Sequence, residues 1–72
     1  MAVTDHDLDN WFTYHKPEPD QVPRYNAIRD AGHAFARVLL ENTPGSADQT
    51  AAIRKVREAV MTANQSIACE GR

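Results

Sequence analysis

Glu41-Asn42-Thr43-Pro44-Gly45-Ser46-Ala47-Asp48-Gln49 is the stretch that decides the fold. Asn42 through Gly45 form a turn signal, because Pro44 and Gly45 punctuate any regular element. Ser46 with Gln49 three residues later reads as a capping box that opens a new helix. One helix therefore ends and another begins within a few residues, and two long helices joined so tightly pack antiparallel. Downstream, Ile53, Val56, Val60, Ala63 and Ile67 recur at alternating spacings of three and four, which predicts a helix from about Ala47 to Cys69 with one apolar seam. Gly71 is a suitable stop for it. Upstream, Tyr25, Ile28, Phe35 and Leu39 keep the same phase, with Gly32 filling the gap and Val38 widening the stripe. Asn26, Asp30, His33, Arg37 and Glu41 fall on the opposite, wet face. Gly32 costs a helix interior roughly 1 kcal/mol against Ala, so it predicts a close helix approach.

Further out, Asp20 reads as the N-cap of the first long helix, with Pro23 in its first turn, where a missing N–H does no harm. Residues 13–20 cannot be helix, because Pro17 and Pro19 hold Lys16 and Glu18 extended. They form a proline-containing strap. Residues 4–12 predict a short helix capped by Thr4, with Asp5 and Asp7 in the first turn and Leu8, Trp11 and Phe12 on one side. The expected architecture is all-α and a single domain over residues 1–72: N-terminal helix and strap at 1–19, first long helix at 20–42, second at 46–70. Phe12 and Tyr25 are expected in the core. Two amphipathic helices of this length cannot cover both seams in a monomer, so the remaining apolar surface predicts a homo-oligomer.

Composition narrows function by exclusion. The 72 residues are 42% hydrophobic and 25% charged, which fits a folded domain. The net charge of -2 argues against a strongly basic DNA-binding module. Residues 1–23 carry five acids against one base, a net of -4, and residues 24–72 carry seven bases against five acids, a net of +2. No apolar run approaches the roughly 18 residues of a membrane span, and the acidic start is unlike an export signal. The single cysteine, Cys69, closes no disulfide within the chain and fits a reducing cytoplasm.

Catalytic chemistry finds no foothold. Asp5-His6-Asp7-Leu8-Asp9 begins like a calcium loop, but Asn10 and Lys16 stand where the loop needs Gly and an acid, which leaves a solvated acidic helix start. His6, His15 and His33 lack metal-ligand spacing. Cys69 sits near a frayed C-terminus with no base beside it, Ser46 is occupied as a cap, and no phosphate-cradling Gly loop exists. No catalytic residue, metal ligand or cofactor is expected. Arg54, Lys55 and Arg57 form a small basic cluster that is either a solvated face or a phosphate contact.

Binding chemistry does find one. Tyr14 lies on a proline-stiffened strap, where it either packs on the helices or stands as an exposed platform for stacking a base. Arg29 lies one turn after Tyr25. Its guanidinium either pairs with an acid such as Glu58 or Asp20, or grips a phosphate.

The pattern Phe12-Thr13-Tyr14-His15-x-Pro17, then Gln21-x-x-Arg24-Tyr25-x-x-Ile28-Arg29, resembles the helical anti-CBASS sponges, a family of small phage proteins. A second match is Thr43-Pro44-x-Ser46 leading into Glu58-Ala59-Val60-Met61-x-Ala63-Asn64-x-x-Ile67-Ala68. The resemblance covers roughly residues 12–69. It implies a hexameric helical hairpin that is not an enzyme and sequesters cyclic oligonucleotide second messengers in the host cytoplasm. Cyclic dinucleotides such as cyclic GMP-AMP would sit between paired protomers and cyclic trinucleotides where three protomers meet. By the same resemblance Tyr14 and Arg29 line the dinucleotide pocket, with Tyr25 and Arg24 as nearby alternatives, and Asn64 and Ser66 are the polar groups for the trinucleotide pocket. The chain departs from the family at Thr62, where Trp is frequent, and at Cys69 and Glu70, where Arg or Asn follows the Ile-Ala pair. The rival class is an oligomeric helical adaptor that binds a host protein through its apolar faces.

Overall fold

The computed structural model describes residues 2–71 and contains three helices: α1 (Asp5–Phe12), α2 (Val22–Asn42) and α3 (Ala47–Ala68). No strand occurs among the described residues. Helix α2 packs along α3 as a hairpin closed by residues 43–46.

Local chemistry explains the helix ends. Thr4 caps α1 through a full capping box: its hydroxyl accepts from Asp7 N, and the Asp7 carboxylate accepts from Thr4 N at 2.9 Å. Ser46 caps α3 by accepting from Gln49 N at 3.1 Å. The reciprocal half of that expected box is absent. The Gln49 amide instead reaches back across the turn and donates to Leu40 O, Thr43 O and Thr43 Oγ1. It thus serves the carbonyls that α2 leaves open at its C-terminus. Asp20 is not the cap of α2. The cap position falls to Gln21, whose side chain makes no cap bond, while Pro23 does occupy the first turn. Helix α3 stops at Ala68, short of the expected end. Glu70 N donates to Ile67 O and Gly71 N to Ser66 O, the two bonds of a Schellman motif. The left-handed turn begins at Glu70, with φ 55°, one residue before the glycine expected to supply it.

The two long helices approach closely at Gly32. A Cβ built there would lie 2.5 Å from Val60 Cγ2, well inside van der Waals contact. The glycine is therefore a packing requirement, as the sequence suggests. Ile67 and Cys69 are the buried apolar residues, and Ile28, Leu39, Ile53, Val56, Val60 and Ala63 are half-buried along the seam.

Helix α1 docks through polar bonds at its C-terminal end. Gln65 Nε2 donates to Trp11 O at 3.2 Å, Cys69 Sγ donates to Asn10 O at 3.8 Å, and Thr13 Oγ1 donates to Asp9 O. These carbonyls have no partner within the helix and would otherwise need water. Phe12, expected in the core, is 84% exposed, and Leu8 is also exposed. Cys69 is not frayed: it is 2% exposed and receives Gln65 Nε2 at 3.1 Å.

The chain is extended for its size. Its radius of gyration is 15.2 Å, against about 11 Å for a compact domain of this length. It exposes 5797 Å², whereas a compact monomer of this mass would expose about 4,450 Å². Several large apolar side chains are among the exposed ones: Phe35, Val38, Leu40 and Met61.

Two outcomes follow from this packing. Gly32→Ala gains roughly 1 kcal/mol of helix propensity but drives a methyl into stiff, β-branched Val60, and overpacking costs about 1–3 kcal/mol. Thermal melts at fixed concentration should show Gly32→Ala destabilised and Gly32→Ala/Val60→Ala recovering part of the loss. A more stable Gly32→Ala would mean that the close approach is not a constraint. Cys69 should react with a thiol reagent at the rate at which α1 and the end of α3 open, and labelling as fast as that of a free peptide thiol would contradict its burial.

Candidate nucleotide-binding clefts

Helix geometry sorts the polar residues before any ligand is considered. Residues four apart share a face, whereas adjacent residues lie about 100° apart. On α2, Tyr25 and Arg29 share a face. On α3, Met61, Gln65 and Ala68 share one, with Asn64 on its flank. The hairpin brings these faces together at the end where residues 13–21 cross from α1 to α2. The result is a cleft of about 530 Å³ lined by Tyr14, His15 and Pro17 from the linker, Val22, Tyr25, Asn26 and Arg29 from α2, and Met61, Asn64, Gln65 and Ala68 from α3.

Tyr14 is 83% exposed at this cleft. Packing of its ring onto the helices, the alternative reading, does not occur. The neighbouring backbone is anchored: His15 Nε2 lies 2.6 Å from Asn10 O. A carbonyl can only accept, so that nitrogen carries the proton. Arg29 makes no ion pair with Glu58 or Asp20. It makes one long bond to a neighbour on its own helix, Nη1 donating to Asn26 Oδ1 at 3.5 Å. The salt bridge among the described residues lies on the outer face, Arg37 to Glu41 at 3.8 Å, with both side chains more than half exposed. A surface pair of this kind is worth a few tenths of a kcal/mol. Asn64 Oδ1 is buried without a hydrogen-bond partner, a state that costs about 1–3 kcal/mol until a donor reaches it.

Arg24 and Ser66 stand elsewhere. They line a second, more polar cleft of about 460 Å³ with Asp20, Gln21, Ile67, Glu70 and Gly71. Asn64 and Ser66, grouped together at the sequence level, are thus separated. Two residues apart on a helix means about 200° of rotation, so they face different clefts. Arg24 and Tyr25 separate for the same reason. Glu70 and Asp20 bring negative charge to the second cleft, which disfavours phosphate there unless Arg24 offsets it.

The basic cluster on α3 does not act as one patch. Arg57 joins Arg29 and His33 beside a shallow groove, while Lys55 borders an apolar groove on the hairpin. That apolar groove, about 600 Å³, is lined by Ile28, Phe35, Leu39, Val56 and Val60 with small residues between them. Sequence reasoning missed Gln21, Gln65 and Cys69 as structural polar anchors. Their signal was weak, because each pairs with a backbone carbonyl distant in sequence or with the end of a short helix.

No curated protein and no solved structure matches the chain significantly. A family model described as the Acb2/Tad1 hairpin domain matches residues 4–68, which include all three helices, the linker and every residue of the Tyr14–Arg29 cleft. The chain therefore belongs to the Acb2/Tad1 hairpin-domain family, the anti-CBASS sponges.

Proposed function

We propose that this protein binds cyclic oligonucleotide second messengers, cyclic dinucleotides above all, and holds them intact, which blocks CBASS immunity in the cytoplasm of the infected host. The observation that carries this reading is the placement of an exposed tyrosine ring and an arginine free of acidic partners in one cleft. Family membership supports it.

The chemistry fits the ligand. A cyclic dinucleotide offers two base faces and two phosphates. Tyr14 supplies a stacking surface, worth about 1–3 kcal/mol per base by alanine substitution. Arg29 supplies charge-assisted bonds to phosphate, worth about 1.5–3 kcal/mol each. The buried Asn64 acceptor, once turned to the ligand, suits a base amino or imino donor. The cleft volume lies within the range of about 300–1,000 Å³ typical of small-molecule sites.

One protomer supplies half of what the ligand needs. A homo-oligomer, a hexamer in this reading, pairs protomers so that two Tyr14 rings and two Arg29 side chains face one ligand across a symmetry axis. Two stacks and two charged contacts sum to about 5–12 kcal/mol before ordering costs, and the upper end meets the roughly 12 kcal/mol of nanomolar binding. The excess exposed area, about 1,300 Å² above a compact monomer, is of the size that protein interfaces bury. Arg24 and Ser66 are the groups we assign to a second class of pocket, for cyclic trinucleotides. No step of bond cleavage is needed: a sponge acts by stoichiometry, and the cleft offers binding groups rather than a nucleophile with its base.

The apolar groove along α2 and α3 favours a second reading, an adaptor that receives a host protein helix there. A closed oligomer by light scattering separates the two, because it would cover that groove.

Titration calorimetry against cyclic di- and trinucleotides, followed by denaturation and chromatography of the released ligand, tests the proposal. Intact ligand is expected, whereas a linear product would make the protein a hydrolase. Tyr14→Ala and Arg29→Glu should each weaken cyclic dinucleotide binding at least about tenfold, or 1.4 kcal/mol, with the oligomer retained. Unchanged affinity in both variants would sink the site assignment.

A further inference from the structure

We infer that Gln21 is the positioning residue of the Tyr14 cleft: its side-chain amide latches the linker to the end of α3 and thereby fixes where the Tyr14 ring stands. This rests on the nucleotide-binding reading above and adds to it a residue that need not touch the ligand.

The starting point is a weakness in Tyr14. A ring 83% exposed is not oriented by packing. Its position depends on how the backbone is held on either side. On the N-terminal side it is held by Thr13, whose hydroxyl donates to Asp9 O, and on the C-terminal side by His15, bonded to Asn10 O. Further along that same side the anchor is Gln21. Gln21 Oε1 accepts from Glu18 N at 2.9 Å, and Gln21 Nε2 donates to Ile67 O at 3.4 Å. The Gln21 backbone N also donates to Glu18 O, and its carbonyl receives Tyr25 N in the first turn of α2. One residue thus joins the linker, the start of α2 and the end of α3.

Three further observations agree. Gln21 is the buried polar residue among those described, 8% exposed, and a buried amide is costly unless both ends are bonded. It occupies a helix cap position, where Ser, Thr, Asp or Asn would serve better, yet makes no cap bond. Its side chain is committed to the latch instead. Finally, Pro17 and Pro19 stiffen the segment from His15 to Gln21, so a displacement at Glu18 is passed along to His15 and to Tyr14 beside it rather than absorbed. Holding the ring in place before binding removes an ordering cost from association.

The test uses the full chain and two readouts. In Gln21→Leu, which keeps side-chain bulk and removes both bonds, hydrogen exchange should quicken at the amides of residues 13–16 and 18, with the middle of α2 and α3 unchanged. Affinity for cyclic GMP-AMP should fall about tenfold in Gln21→Leu, but change little when the same substitution is made in Tyr14→Ala, since the latch acts through that ring. Equal losses in both backgrounds, or unchanged exchange in the linker, would overturn the proposal. Should Gln21→Leu fail to fold, Gln21→Glu, which keeps the acceptor for Glu18 N and removes the donor to Ile67 O, is put through the same two readouts and judged by the same outcomes. If the wild-type chain takes up no cyclic dinucleotide, the functional reading falls by itself, and the exchange result still decides whether Gln21 holds the linker.

Discussion

The approach of α2 to α3 at Gly32 is the constraint on which the remaining geometry depends. With no side chain at that point, Val60 sits against the α2 backbone. The two helices then lie close enough for Tyr25 and Arg29 on one to share a cleft with Met61 and Asn64 on the other. A wider separation would still allow the seam residues to meet in part, but the cleft at the linker end would open and its polar groups would part. A residue with no functional group of its own therefore sets the spacing of those proposed to have one.

Around that pivot the protein uses amide groups where larger domains use hydrophobic burial. Gln49 seals the turn, Gln65 and Cys69 receive the open carbonyl end of α1, and Gln21 ties the linker to α3. Each such bond contributes only about 1 kcal/mol net, yet each also spares a backbone or amide group from being buried unpaired. This division of labour leaves the large apolar side chains facing outward. Phe12, Phe35 and Met61 are exposed in the single chain, an apolar surface of the kind that marks interaction sites.

Most of the fold was legible in the sequence because it rests on local rules. Thr4 and Ser46 cap as their positions suggest, Pro23 opens α2, the seam through Ile53 to Ile67 faces α2, and Gly32 marks the contact point. The errors share a cause as well. Asp20 is a better capping residue than Gln21 by propensity, but a tertiary bond to Ile67 fixes what Gln21 does. Phe12 looks like core by hydrophobicity, but α1 docks through its carbonyls and the Phe12 ring stays exposed. Cys69 looks frayed by position, but α1 covers it. In the cleft, an exposed Tyr14 was one of two readings of the strap and Tyr25, expected in the core, is only half-buried, while the cleft roles of Tyr14 and Arg29 came from the family resemblance; helical phase puts Asn64 and Ser66 on different clefts. Contacts between distant parts of the chain leave no period in the sequence.

The short turn at residues 43–46 carries a consequence for kinetics. Because α2 and α3 are joined through four residues, the native contacts nearest the turn close very small loops, and pairing can then propagate outward along the seam. Chains rich in such sequence-local contacts cross their folding barrier in microseconds to milliseconds. For this hairpin, forming the two-helix unit is therefore fast and independent of protein concentration.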